Sequence, residues 1–373
     1  MFTNISSGEL LCSLFAFLCA AAIALAATPL VKKFACRVGA IDVPKDARRV
    51  HKKPIPLLGG IAIYLGFLIS VLIFADLSLQ LAGILIGASV IVLLGALDDR
   101  FVLDAKLKFV VQIVAAIIPV ACGLRIEFIS NFFNFAEGGK IWLSYLSAPL
   151  TVLWIVGLSN AVNFIDGLDG LACGVSTIAS FSIFLIVVQL GDAATALLIA
   201  ALAGACIGFL PYNFNPAKIF MGDSGALFLG FILATVSVSG NFKWFTLVNF
   251  GLPFLVLGLP IFDTAIAIIR RLIHGKKPWE ADRGHIHHKL IDMGMSQKQA
   301  VAILYAVSAI LGLSAILLTN SNLIKIMIMA LVILIVLAVA VKLYLSHERH
   351  FKAQQAMSAE NPDKPSDSKD DAE

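Results

Sequence analysis

Apolar runs of about 20 residues recur along nearly the whole of this 373-residue chain. A helix needs about 20 apolar residues to cross the hydrocarbon core of a bilayer, and no backbone polar group can stay unpaired at that depth. The pattern predicts eleven such segments, at 9–31, 57–75, 80–97, 107–123, 142–160, 171–190, 194–211, 225–240, 246–269, 301–319 and 323–345. The fifth is the least regular, because Pro149 interrupts it. Composition agrees. The chain is 59% hydrophobic and 14% charged, where an ordinary soluble domain is about 25% charged. The expectation is an all-α polytopic integral membrane protein with about eleven transmembrane helices. A net charge of only +4 gives no ground for a nucleic-acid partner. The six cysteines are scattered and mostly apolar in context, with neither metal spacing nor a disulfide framework.

Leu11 to Ala27 imitates a signal peptide, but such a peptide carries its positive charge before the apolar core. Here the first basic residue is Lys32. We read a retained span with its N-terminus outside. Eleven spans then place 24 of the 28 Lys and Arg residues on the inner side, leaving only Arg125, Lys140, Lys243 and Lys325 opposite. That asymmetry is the positive-inside pattern. The expected organisation is one membrane domain over 1–346 and a cytoplasmic tail over 347–373, rich in Lys, Asp, Ser and Pro and disordered by composition.

Four inner segments carry the polar chemistry. In the first, Asp98 and Asp99 are adjacent, followed by Arg100, Lys106 and Lys108. Neighbouring carboxylates repel unless a cation or metal neutralises them; a solvated turn is the plain alternative. In the second, Asn160, Asn163, Asp166 and Asp169 recur every third residue. On a helix this spacing makes a polar ridge, and Gly167 and Gly170 let a ligand approach the backbone. In the third, Asn213 to Gly225 contains Asp223 and Ser224 at the start of an apolar run. Either could cap that helix, the helix end would suit a phosphate, and Asp223 would suit a hard cation. The fourth runs from Arg270 to Lys298 and holds Arg283, His285, His287 and His288. These could bind a metal or phosphate oxygens, or anchor the chain on anionic lipid. Asp263 lies inside an apolar run, where a carboxylate is costly and usually paired or functional. Pairing with Arg270 or Arg271 is the plain option.

Carboxylates and amides suited to Mg²⁺, set beside a basic lobe, match the needs of phosphoryl transfer. A transporter would also account for many spans, but it gathers its polar groups near the bilayer midplane in repeated halves. Here they cluster at inner helix ends, with no repeat.

These motifs, in this order, resemble the polyprenyl-phosphate N-acetylhexosamine-1-phosphate transferases (glycosyltransferase family 4). The resemblance covers Asp42, Pro44, His51, Pro54, Gly59-Gly60, Asp98-Asp99 with Lys106, Asn160 to Gly170, Asn213 to Gly225, Pro260 with Asp263, and the histidine segment. The form His-Ile-His-His is similar to the bacterial UDP-GlcNAc branch, where the pentapeptide translocase branch carries three consecutive histidines. The resemblance implies transfer of GlcNAc-1-phosphate from UDP-GlcNAc to undecaprenyl phosphate with release of UMP. It implies Mg²⁺, or Mn²⁺ in its place, held by Asp223 with Asn163. It implies Asp98 as the base for the lipid phosphate, with Asp99 beside it and Lys106 on phosphate. Asp169 and Phe220 would hold the uracil, and Asp166, Asn213, Arg283, His285, His287 and His288 the rest of the donor. The expected setting is the bacterial plasma membrane with catalytic loops in the cytoplasm, in contact with membrane lipid, and with a second copy of the chain as a candidate partner.

A cysteine introduced at Ser296, in a background lacking the native cysteines, is expected to react with an impermeant thiol reagent only in opened or inverted membranes. Labelling in intact cells would reverse the orientation.

Overall fold

The computed structural model describes residues 5–44, 53–130, 140–239, 251–273, 275 and 284–319, all within the compact unit Met1–Ile326. The eleventh predicted span, the tail, His51 and Arg283 lie outside the described residues. The long helices are α1 (Ser7–Val38), α2 (Gly59–Phe74), α3 (Leu79–Phe101), α4 (Ala105–Ala121), α5 (Ser147–Ile165), α6 (Leu171–Gln189), α7 (Ala193–Asn213) and α8 (Gly222–Val238). They are followed by α9 (Gly251–Val256), α10 (Gly258–Ile273), the short α11 (Ile286–Asp292) and α12 (Gln297–Leu318). Among the described residues, six helices are long and apolar enough to cross a membrane, and α2 and α8 are shorter apolar helices. The protein is therefore an all-α multi-pass membrane protein, with two small antiparallel ribbons, β1 (Ile41–Asp42) with β2 (Ile55–Pro56), and β3 (Phe128–Ser130) with β4 (Lys140–Trp142).

Two predicted boundaries shift. The segment read as 142–160 starts with the end of β4 and a 3₁₀ turn at Ser144–Leu146, and its α-helix begins only at Ser147. Pro149 thus falls in the first turn, where a missing N–H costs no hydrogen bond. The span predicted at 246–269 is broken at Leu257, between α9 and α10.

α8 lies at the centre. It packs against α2, α3 and α5, and every residue from Ser224 to Val238 is buried. α7 is nearly as enclosed, between α1 and α6. Small residues make this possible. Gly204 and Gly208 of α7 face the backbone carbonyls of Phe17 and Ala21, next to the buried Ala16, Ala20 and Ala24 of α1. In lipid, helices gain little from hiding apolar groups from one another, so close backbone approach through small residues supplies the contact. The opposite face of α1 exposes Leu11, Phe15, Leu18 and Leu25, as a lipid-facing surface requires.

The two ends of the bundle differ. The end formed by the α3, α5 and α7 C-termini and the α8 N-terminus gathers the polar side chains. There Gly59 and Gly60 donate backbone hydrogen bonds to Phe220 and Met221 carbonyls at 3.0 and 2.8 Å. The N–H of Phe220 donates to the Pro56 carbonyl at 2.8 Å. The β1–β2 ribbon is so tied to the start of α8.

Candidate active site

Helix α8 begins without a side-chain cap of its own, its N-cap being Met221. The cap comes from α3. The N–H groups of Asp223 and Ser224 donate to the two Asp99 oxygens at 2.8 and 3.3 Å, and the Ser224 hydroxyl donates at 2.9 Å. Only glycine serves at 222. Its φ is +71°, and a Cβ there would collide with the Asp99 carboxylate. Asp99, expected among the catalytic residues, thus spends its carboxylate on the helix end.

Asp98, one residue earlier, points elsewhere. Lys108 Nζ lies 2.8 Å from Asp98 Oδ2 and 3.0 Å from Asp223 Oδ2. Asp98 Oδ1 also accepts the Leu103 N–H at 2.7 Å. One ammonium therefore joins the last turn of α3 to the first turn of α8. Lys106, expected on phosphate, is exposed, and its backbone N–H meets the Asp104 cap of α4. The signal for Lys108 was in the helical phase. The buried face of α4 is Gln112, Ala115, Ala116 and Pro119. Lys108 lies one turn before Gln112 on that face, whereas Lys106 lies off it.

The predicted ridge at the end of α5 is half helix and half turn. α5 stops at Ile165, with Asp166 as its C-cap, and Gly170 at φ +78° starts α6. Asn160, deeper in α5, donates to Gln112 Oε1 at 2.5 Å. Asp169 lies in the turn and accepts from the Asn215 side chain at 3.0 Å and the Ala217 N–H at 2.9 Å. The close approaches at Gly167 and Gly170 are made by His287 and by Phe214, not left open to a ligand alone.

These elements surround a cavity of about 640 Å³, inside the 300–1,000 Å³ typical of small-molecule sites. Its wall brings together Asp98, Asp99, Asn163, Asp166, Asp169, Asn213, Phe220, Asp223 and His288. Asp42, Arg100 and Gln297 join them without having been singled out from sequence as site residues. Lys106, His285 and His287 are not in the wall, and Arg283 lies outside the described residues. Burial, then the charges of Asp223, Asp99 and Asp169, pushes the Asp166 carboxyl up to about 8. Asn213 is buried, and its Oδ1 has no hydrogen-bond partner among the described residues. The donors are hard oxygens that repel one another, which suits a small divalent cation. Among the described residues no three His, Cys, Asp or Glu side chains form an all-protein cage. Mg²⁺ commonly needs none, since it binds through one or two carboxylates together with a ligand's phosphates and water. The residues fit such a shared ion.

The histidine segment folds over the turn after α5. His287 packs on Gly167 and lies 4.3 Å, centroid to centroid, from the His288 ring. Its Nε2 is buried without a hydrogen-bond partner among the described residues. Burial, then neighbouring His288, pushes His287 down to about 3. An unfolded histidine takes up its proton near pH 6.5. Below that pH the unfolded chain binds more protons than the folded one, so stability falls as pH falls from about 6.5 toward 3, by up to about 1.4 kcal/mol per pH unit. Between pH 7 and pH 5, wild-type protein in detergent should therefore lose more thermal stability than His287→Gln. Equal losses would contradict a buried neutral imidazole at 287.

The comparisons with known proteins agree with this geometry. Residues 81–241, which include Asp98, Lys108, Asp166 and Asp223, match the model of glycosyl transferase family 4. The chain is 42% identical over 312 residues to a probable undecaprenyl-phosphate N-acetylglucosaminyl 1-phosphate transferase of Bacillus subtilis, covering 83% of this chain and 85% of that one. It is 37% identical over 320 residues to the decaprenyl-phosphate N-acetylglucosaminephosphotransferase of Mycolicibacterium smegmatis, with 77% of each covered. With a phospho-N-acetylmuramoyl-pentapeptide-transferase of Staphylococcus aureus it shares 34% over 285 residues, covering 71% and 85%. The polar cavity at one end of a multi-pass bundle and these relatives lead to one conclusion: the chain belongs to glycosyl transferase family 4, the polyprenyl-phosphate N-acetylhexosamine-1-phosphate transferases.

Proposed function

We propose that this enzyme transfers GlcNAc-1-phosphate from UDP-GlcNAc to undecaprenyl phosphate, giving undecaprenyl-diphosphate-GlcNAc and UMP, as a lipid-linked step of cell-envelope polysaccharide synthesis. It does so in the plasma membrane, with the cavity on the cytoplasmic side. The observation that carries the reading is that Lys108 bridges Asp98 and Asp223, two carboxylates in the wall of a cavity lined by further carboxylates and amides. The relatives named for N-acetylglucosamine are closer in sequence than the one named for a muramoyl pentapeptide, at 42% and 37% against 34%.

In this reaction an oxygen of the lipid phosphate attacks the β-phosphorus of the donor. The bond from that phosphorus to the bridging oxygen breaks, and UMP leaves with the electron pair. Two anions must meet, so charge is the main obstacle. Lys108 supplies a fixed positive charge between the two carboxylates. A phosphate monoester loses its second proton near pH 6. At neutral pH Asp98 then needs to take a proton only from the minor monoanionic lipid. Asp223, with Asn163 in the same wall, would hold Mg²⁺ or Mn²⁺, which would offset charge on the donor diphosphate, and Asp166 would help hold the donor. Asp169 and Phe220 line the side suited to the base, and Asn213 and His288 the remainder of the donor.

Purified protein should release UMP from UDP-GlcNAc only when polyprenyl phosphate and Mg²⁺ are both present, and should refuse UDP-MurNAc-pentapeptide. Efficient use of the pentapeptide donor would overturn the sugar assignment. UMP release without a lipid acceptor or without a divalent cation would overturn the reaction.

A further inference from the structure

Asp263 is a buried carboxylate for which the proposed reaction has no use. It sits in α10, 3% exposed, away from the cavity wall. A carboxylate among apolar residues in a membrane-embedded helix is costly and needs partners. The structure gives it the histidine segment. Asp263 Oδ2 lies 2.8 Å from His285 Nδ1, and Oδ1 accepts the Ile286 N–H at 2.8 Å. His285 is itself 6% exposed and is the N-cap of α11, yet its side chain makes no cap bond. Asp263 provides that bond from the neighbouring helix. A second tie runs in parallel, since Arg270 Nη1 donates to the Gly284 carbonyl at 2.9 Å. From this fixed start, α11 carries His287 onto Gly167 and His288 into the cavity wall.

We infer that Asp263 is a positioning residue: through His285 and the Ile286 N–H it fixes the start of α11 and so sets where His288 enters the cavity. His285, expected from sequence to hold substrate, is here the intermediary and lies outside the cavity wall. Both Asp263 oxygens serve the segment, and a side chain that only neutralised a neighbouring arginine would leave α11 free to turn. A displacement of about 1 Å in a group that orients substrate can cost about 100-fold in rate.

The activity test of this inference rests on the proposed transferase reading; the labelling test does not. Asp263→Ala and His288→Ala are each expected to lower kcat/KM for the nucleotide sugar about 100-fold, with KM for the polyprenyl phosphate unchanged. The double variant should be no worse than His288→Ala, because groups acting through one another are not additive. Asp263→Asn, which can still bond both partners, should restore most of the loss. Losses that multiply in the double variant, or no rescue by Asn, would overturn the inference. If Asp263→Ala does not fold, His285→Ala replaces it. It keeps the Ile286 cap, and the same non-additivity with His288→Ala is expected. Independently, His288→Cys in a background without the six native cysteines should change its rate of reaction with a soluble thiol reagent when Asp263→Ala is added, and regain it with Asp263→Asn. An unchanged rate would refute the positioning role whatever the substrate. A changed rate in a protein that transfers no sugar phosphate would instead refute the transferase reading alone.

Discussion

The carboxylate of Asp99 on the N-terminus of α8 is the contact on which the rest of the site depends. A helix start exposes unpaired N–H groups and the positive end of the helix dipole, and here it lies inside the protein. Asp99 meets two of those N–H groups and the Ser224 hydroxyl. The arrangement needs backbones in close contact, and glycine provides them: Gly60 and Gly95 both lie against the Ser224–Gly225 backbone. With α8 fixed in this way, Asp223 in its first turn is free to face Lys108 and the cavity.

Asp98 and Asp99 show how adjacent, like residues divide their work. Successive side chains on a helix point about 100° apart. One carboxylate is neutralised by the lysine of α4 and the other by backbone N–H groups of α8. Sequence reading left open a cation, a bound metal or a solvated turn; the structure gives Asp98 a lysine and Asp99 the N–H groups of α8. It also favoured Lys106 over Lys108. The lysine that pairs with Asp98 and Asp223 is Lys108, which the periodic buried face of α4 points to.

The bundle itself was legible, because long apolar runs admit few outcomes in lipid. Asn163, Asp166, Asp169, Asn213, Asp223 and His288 stood out for a related reason, and Phe220 only through the family resemblance. Polar side chains at the ends of apolar segments stand out, and the cavity indeed gathers them. What sequence could not give was partnership across the chain. The bond from Asp99 to Ser224 spans 125 positions, and that from Asp263 to His285 spans 22 across a loop. Local spacing also made the Asn160–Asp169 ridge look wholly helical, when Gly167 and Gly170 turn its second half into a loop.

The two lysines of α4 offer the most direct test that the junction of Asp98, Lys108 and Asp223 is where transfer occurs. The measurement is kcat for UMP release by Lys108→Ala and Lys106→Ala, each matched to wild type in melting temperature and detergent elution profile. Removing one preorganised donor from a charge-stabilising site typically costs about 10²–10³ in kcat. Lys108→Ala should fall in that range, and Lys106→Ala should stay near wild type. Near-normal turnover in folded Lys108→Ala, with the loss appearing in Lys106→Ala, would contradict the assignment of the site.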